Sequence, residues 1–140
     1  MLRSAGIQPS VQRLAIADVV LATREHPSAD EVFQAAHKRL PVLSRATVYN
    51  TLNLFVAKGL LRQLDLAEGR CVYDPVLAPH HHFIDDTSGR IEDIPWSAVR
   101  VGEIERLSQY EVREYMVVMR GRKLSRPRSA SRSAGHKRQR

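Results

Sequence analysis

The first sixty residues are divided into helix-length pieces by their own punctuation, and this constrains the fold more than any other feature. Ser10 can cap a helix whose apolar positions Val11, Leu14, Ala15, Val19 and Ala22 suit one buried face. His26-Pro27 interrupts it. Ser28-Ala29-Asp30-Glu31 is a capping box, in which Ser28 and Glu31 satisfy each other's free backbone donors, and it opens a second helix that runs to about Leu40. Pro41 ends that helix. Ser44 caps a third, Arg45 to Lys58, which Gly59 closes as a left-handed C-cap. Val48, Leu52, Phe55 and Val56 form its apolar face, and Arg45, Tyr49, Asn50 and Asn53 point outward. Two β-rich stretches follow, Leu60–Leu66 and Arg70–Tyr73, joined as a hairpin by Ala67-Glu68-Gly69.

Three helices and a hairpin make a winged helix, with the third helix in a major groove and the hairpin as the wing. In that setting Arg45 can reach phosphate or guanine, and Tyr49, Asn50 and Asn53 can hydrogen-bond or stack. Pattern alone supports equally well an all-α domain in which these residues form a solvated helix face. Behind the hairpin, Asp74-Pro75-Val76-Leu77-Ala78-Pro79 reads as a short hinge. The remainder predicts a strand (His80–Asp85), a turn, a strand (Arg90–Ile94), a helix from about Trp96 to Gln109, and a strand (Glu111–Met119). The last strand is apolar on both faces and calls for cover that a second subunit could supply. The expected fold is α+β, with residues 1–74 as the first domain, 75–79 as hinge, 80–121 as a small α/β second domain, and 122–140 as a disordered basic tail.

The formal net charge of +7 invites a nucleic-acid reading, but most of the positive charge lies at the end of the chain. Residues 122–140 hold eight Lys or Arg and no acid, so the rest of the chain has a net charge of −1. Residues 1–74 carry nine basic groups against seven acidic, and residues 75–121 carry five against eight. Function must therefore be argued from motifs, and the tail is expected to add at most non-specific affinity for DNA. The chain holds one cysteine, Cys71, which excludes an internal disulfide and any multi-cysteine zinc site. With no apolar run long enough to span a bilayer and no secretory h-region, a cytoplasmic protein that does not engage membranes is expected.

His80-His81-His82 is the chemically loaded segment. In a strand, His80 and His82 share a face and can chelate one ion, while His81 points away. Asp93 lies on the next strand, Asp74 precedes the hinge, and His26 precedes the second helix. Three imidazoles and two carboxylates make a nitrogen/oxygen site suited to iron(II), manganese(II) or zinc. Taken without context, the triplet reads more readily as a solvated polar strand end than as a metal site. There is no HExxH, no Gly-rich phosphate loop and no GxSxG, and Cys71 sits in an apolar strand pattern as a packed residue, so nothing marks an enzyme.

Ser44-Arg45-Ala46-Thr47-Val48-Tyr49-Asn50-Thr51-Leu52, followed by Phe55 and Gly59-Leu60, resembles the recognition helix of the ferric uptake regulator family. The His-x-His strand followed by Asp93 in Gly89-Arg90-Ile91-Glu92-Asp93 resembles that family's regulatory metal segment. The resemblance implies a homodimeric, metal-dependent repressor that binds palindromic double-stranded DNA through Arg45, Thr47, Tyr49, Asn50 and Asn53. It implies one regulatory iron(II) or manganese(II) per subunit, replaceable by zinc, held by His26, Asp74, His80, His82 and Asp93. Aspartate at position 93 is the pattern of the peroxide-sensing branch, in which bound iron(II) leads to oxidation of ligand histidines, here His26 or His80. The family's structural zinc site of two Cys-x-x-Cys pairs is missing, because Asp85 and Ser88 occupy the places of the first pair. Two other readings are an iron- or haem-responsive regulator using the same site and, from another class, a non-regulatory metal-binding protein or metallohydrolase.

Overall fold

A computed structural model describes residues 1–129. The remaining residues of the basic tail expected at 122–140, from position 130 on, lie outside the described residues. The fold is α+β, and the chain divides into two compact units, Met1–His80 and the residues from His81 onward.

The first unit holds helices α1 (Val11–Val20), α2 (Ala29–Arg39) and α3 (Arg45–Ala57), then strands β1 (Arg62–Asp65) and β2 (Cys71–Asp74). The expected punctuation operates at the start of each helix and at the ends of α2 and α3, whereas α1 stops at Val20, before the His26-Pro27 interruption and short of Ala22. The hydroxyls of Ser10, Ser28 and Ser44 accept from the backbone N–H groups of Arg13, Glu31 and Thr47, and the Glu31 side chain completes the capping box. Gly59, at φ 74°, donates to the Val56 carbonyl while Leu60 donates to that of Phe55, the paired bonds of a Schellman ending. β1 and β2 pair antiparallel, Leu64 opposite Val72, across a turn in which Glu68 and Gly69 are left-handed. Val48, Thr51, Leu52 and Phe55 of α3 are buried with Val32 and Ala36 of α2, and with Leu61 and Tyr73. The winged-helix arrangement is the one that forms.

The buried face of α1 differs from expectation. Ile16 and Val20 are fully buried, whereas Val11 is 70% exposed and Leu14 48%. Apolar residues surround most of this helix, so periodicity leaves the choice of face to packing.

Strands β3 (His80–Asp85, its first residue being the last of the first unit), β4 (Ile91–Pro95) and β5 (Val118–Gly121) form the sheet of the second unit, in the order β4-β3-β5. β5 runs parallel to β3, with His82 opposite Val118 and Asp85 opposite Gly121. The helix expected from Trp96 to Gln109 does not form: single 3-10 turns occur at Trp96–Ala98 and Ile104–Arg106. Val99 and Val101 are weak helix formers, Gly102 is weaker still, and Glu103 adopts a left-handed φ of 66°. Val101, Leu107 and Tyr110 are exposed, so no buried apolar stripe holds such a helix in place. The strand expected over Glu111–Met119 is likewise confined to its C-terminal end, extending instead to Gly121.

Candidate metal centre and nucleic-acid face

His26 occupies the corner between α1 and α2 and has a left-handed φ of 51°, uncommon for a residue bearing a side chain. Backbone outliers of this kind cost on the order of 1–3 kcal/mol and persist where the surroundings enforce them. Here the next residue, Pro27, accepts the Tyr73 N–H through its carbonyl at 2.9 Å, which ties the corner to β2 beside Asp74. His26 is 2% exposed and Asp74 1%. Asp74 Oδ1 accepts the Val76 N–H at 2.9 Å, and Oδ2 lies 3.3 Å from His26 Nε2 and 2.8 Å from His80 Nε2. The ligand atoms of His26, Asp74 and His80 all lie within 4.8 Å of one another.

Tautomer chemistry makes this trio informative. His80 Nδ1 sits 2.7 Å from the Ala78 carbonyl oxygen, so that nitrogen carries the proton. In a neutral ring Nε2 is then a lone pair, facing a carboxylate oxygen at 2.8 Å. Two acceptors at that distance need a cation between them, either a proton on the ring or a metal ion. A backbone carbonyl that fixes the tautomer and leaves Nε2 to a metal is also the usual outer support of a ligating histidine. The residues present therefore fit a divalent ion.

In the second unit, His82 Nε2 lies 3.6 Å from Asp93 Oδ1, with His82 buried and Asp93 30% exposed at its side chain. His81 is fully buried but turned to other work. Its Nδ1 accepts the Val117 N–H at 3.0 Å, and its ring stacks on Trp96 with centroids 4.6 Å apart. Strand alternation separates it from His80 and His82 as expected, and it holds residue 117 beside β3. That clamp was not visible in the sequence.

On α3, Arg45, Tyr49, Asn50 and Asn53 are exposed and Thr47 half-buried. Thr47 Oγ1 accepts from the Ser44 hydroxyl at 3.0 Å, so it also belongs to the helix cap. Thr47 and Asn50 face a polar cleft of about 340 Å³ shared with Ser10, Gln12 and Arg13 of the α1 N-terminus. Arg45 is not extended into solvent: it pairs with Asp30 and lies over the Phe33 ring. Periodicity within α3 could not announce that contact, because both partners belong to α2.

Cys71, on β2, is partly buried. Burial and the neighbouring Asp65 carboxylate push its thiol above the ordinary value, outweighing hydrogen bonds from Tyr73 and Gln63 that act the other way. Since the thiolate is the reactive form, Cys71 should alkylate more slowly than free cysteine at neutral pH. Its rate should still be climbing at pH values where a free thiol has levelled off. Iodoacetamide labelling followed by mass spectrometry tests this, and an accelerated rate at pH 7 would contradict it.

Residues 4–120 match the Ferric uptake regulator family. Among curated relatives, the peroxide-responsive repressor PerR of Staphylococcus aureus strain Mu50 is 36% identical over 109 residues, covering 78% of this chain and 72% of the relative. Among solved structures, a zinc-bound manganese uptake regulator superposes with a TM-score of 0.67 at 26% identity, over 88% of this chain and 96% of the other. The Campylobacter jejuni peroxide stress regulator gives a TM-score of 0.66 at 27% identity, over 83% and 88%.

Proposed function

This chain belongs to the ferric uptake regulator family of metal-dependent transcriptional repressors, not to an enzyme family, and we propose that it senses peroxide through one iron(II) or manganese(II) ion per subunit. His26, Asp74 and His80, together with His82 and Asp93, are the proposed ligands, and zinc can substitute. The observation that carries the reading is the His80 contact. With Nδ1 committed to Ala78, Nε2 and the buried Asp74 carboxylate face each other at 2.8 Å and call for a cation. A bound divalent ion supplies the charge that balances the two carboxylates and, as iron(II), the reducing power toward peroxide. Because the sequence lacks the cysteine pairs, one ion per subunit and a dimer held by packing are the expectation.

His81 and His82 are both buried, which favours an ion over a haem group docking on the triplet. Similarity to peroxide-responsive and peroxide stress regulators supports peroxide as the signal, as does Asp93. No helix among the described residues is long and apolar enough to cross a membrane, and the proposed site of action is the cytoplasm.

Regulators of this family bind DNA and work as dimers. For this chain the proposed reading face is α3, with Tyr49, Asn50 and Asn53 toward the bases and Arg45 and Thr47 at its N-terminal end. A two-fold dimer presents two such helices to the half-sites of a palindrome. Metal is then a ligand with higher affinity for the DNA-competent arrangement, and coupling is limited to that difference. The test is a gel shift on AT-rich palindromes with and without added metal, paired with metal analysis of anaerobically purified protein. Tyr49→Ala should weaken binding to a palindrome by about 1–3 kcal/mol without unfolding the protein, since the side chain is 45% exposed and outside the core. Equal affinity of variant and wild type would remove α3 from the interface.

A further inference from the structure

We propose that Asp30 is a specificity-determining residue: it holds Arg45 away from DNA until α3 is seated on a correct site. The proposal rests on α3 being the reading helix. Arg45 is the only charged residue in α3, so its availability decides what that helix contributes electrostatically to DNA.

Arg45 is the first residue of α3 and Asp30 lies in the first turn of α2. Asp30 Oδ1 pairs with Arg45 Nη1, and the guanidinium carbon sits 4.5 Å from the centroid of the Phe33 ring. Asp30 and Phe33 are three apart on α2 and so share a face, one gripping the guanidinium at its edge and the other supporting its plane. The carboxylate offsets the one formal charge of α3, so the helix attracts phosphate less strongly from a distance.

The latch can be released. The side chains of Arg45 and Asp30 are 54% and 53% exposed, and pairs this exposed stabilise little. A phosphate can therefore take the guanidinium, but it must replace Asp30 and tolerate its repulsion. On a matching site the other contacts of α3 hold a phosphate in place, and the exchange is favourable. On unrelated DNA nothing holds it there, and the pair stays closed. Asp30 thus reduces non-specific affinity more than specific affinity.

The test compares wild type, D30N, R45A and the double variant, all metal-loaded. The probes are a duplex selected from random sequence by the wild-type protein and a shuffled duplex of equal length, each titrated across salt. D30N should bind the shuffled duplex about three- to tenfold tighter, its logarithmic salt slope steeper by about one charge. Its gain on the selected duplex should be smaller, so discrimination falls. R45A should lose about tenfold on the selected duplex and less than about twofold on the shuffled one. In the double variant the D30N gain should disappear. Weaker binding by D30N to the selected duplex, or a gain that survives removal of Arg45, would overturn the proposal. Chemical denaturation of the same four proteins without DNA should show all of them folded, with little coupling between the two positions, as expected for a pair this exposed. If Tyr49→Ala abolishes discrimination and D30N leaves it unchanged, the reading helix stands and this proposal alone fails.

Discussion

Replacing His82 or Asp93 by alanine should strip the protein of tightly bound metal and reduce its affinity for a palindromic site to that of the metal-free protein. Loss of a group that merely supports a ligand typically costs 10- to about 100-fold in metal affinity, so loss of a ligand should exceed about 100-fold. Both variants should fold, because Asp93 is partly exposed and an alanine at 82 keeps the β3 register with Val118. No other group of three or more His, Cys, Asp or Glu donors converges among the described residues. His81→Ala is the contrasting control. It removes the acceptor of the half-buried Val117 N–H and the partner of Trp96, and the lost hydrogen bond costs about 0.5–1.5 kcal/mol besides the lost packing. That variant should therefore unfold at lower denaturant concentration yet bind one ion per folded subunit. Metal analysis with gel shifts decides the matter: an ion retained in full by both His82→Ala and Asp93→Ala would require a donor set other than the one proposed.

What could be read from the sequence depended on whether the determinant was local. The capping serines, the Glu31 partner and Gly59 act within four residues of themselves, and the helix ends fell where they indicated. The alternation of β3 is equally local, so the opposite orientation of His81 could be foreseen. The α1 face could not be chosen, since an apolar set around Val11 and Leu14 competes with one around Ile16 and Val20, and only packing selects. Residues 96–117 failed for a related reason. Their apolar residues have helical spacing in places, but Gly102 and the left-handed Glu103 break the run, and no described partner buries the stripe. The His80 tautomer and the Arg45 latch depend on atoms placed by tertiary structure, the Ala78 carbonyl and the Asp30 carboxylate, which no spacing rule encodes.

Hydrogen peroxide should inactivate the iron-loaded protein, and the covalent mark should lie on His26 or His80. Both rings present Nε2 to the same Asp74 oxygen, at 3.3 and 2.8 Å, so an ion held by that carboxylate lies beside both. Overall, one oxygen atom of peroxide is added to an imidazole carbon and the other leaves as water. An oxidised ring carries protons on its nitrogens and loses the Nε2 lone pair that His26 or His80 presents beside Asp74, so metal and DNA affinity should fall together. Manganese(II) does not supply the same reducing power, and the manganese-loaded protein should remain bound to DNA after equal treatment. Cys71 is the competing target, since thiols oxidise through the thiolate. Its thiol is pushed up by burial and by Asp65, and as the only cysteine it has no resolving partner within the chain. A Cys71→Ser variant should accordingly stay peroxide-sensitive when loaded with iron. Peptide mass spectrometry after treatment, run alongside gel shifts, separates the two chemistries. One added oxygen on the His26 or His80 peptide, seen with iron alone and tracking the loss of DNA binding, is the expected result. Oxidation confined to Cys71, with a resistant Cys71→Ser protein, would replace the metal-centred sensor with a thiol switch.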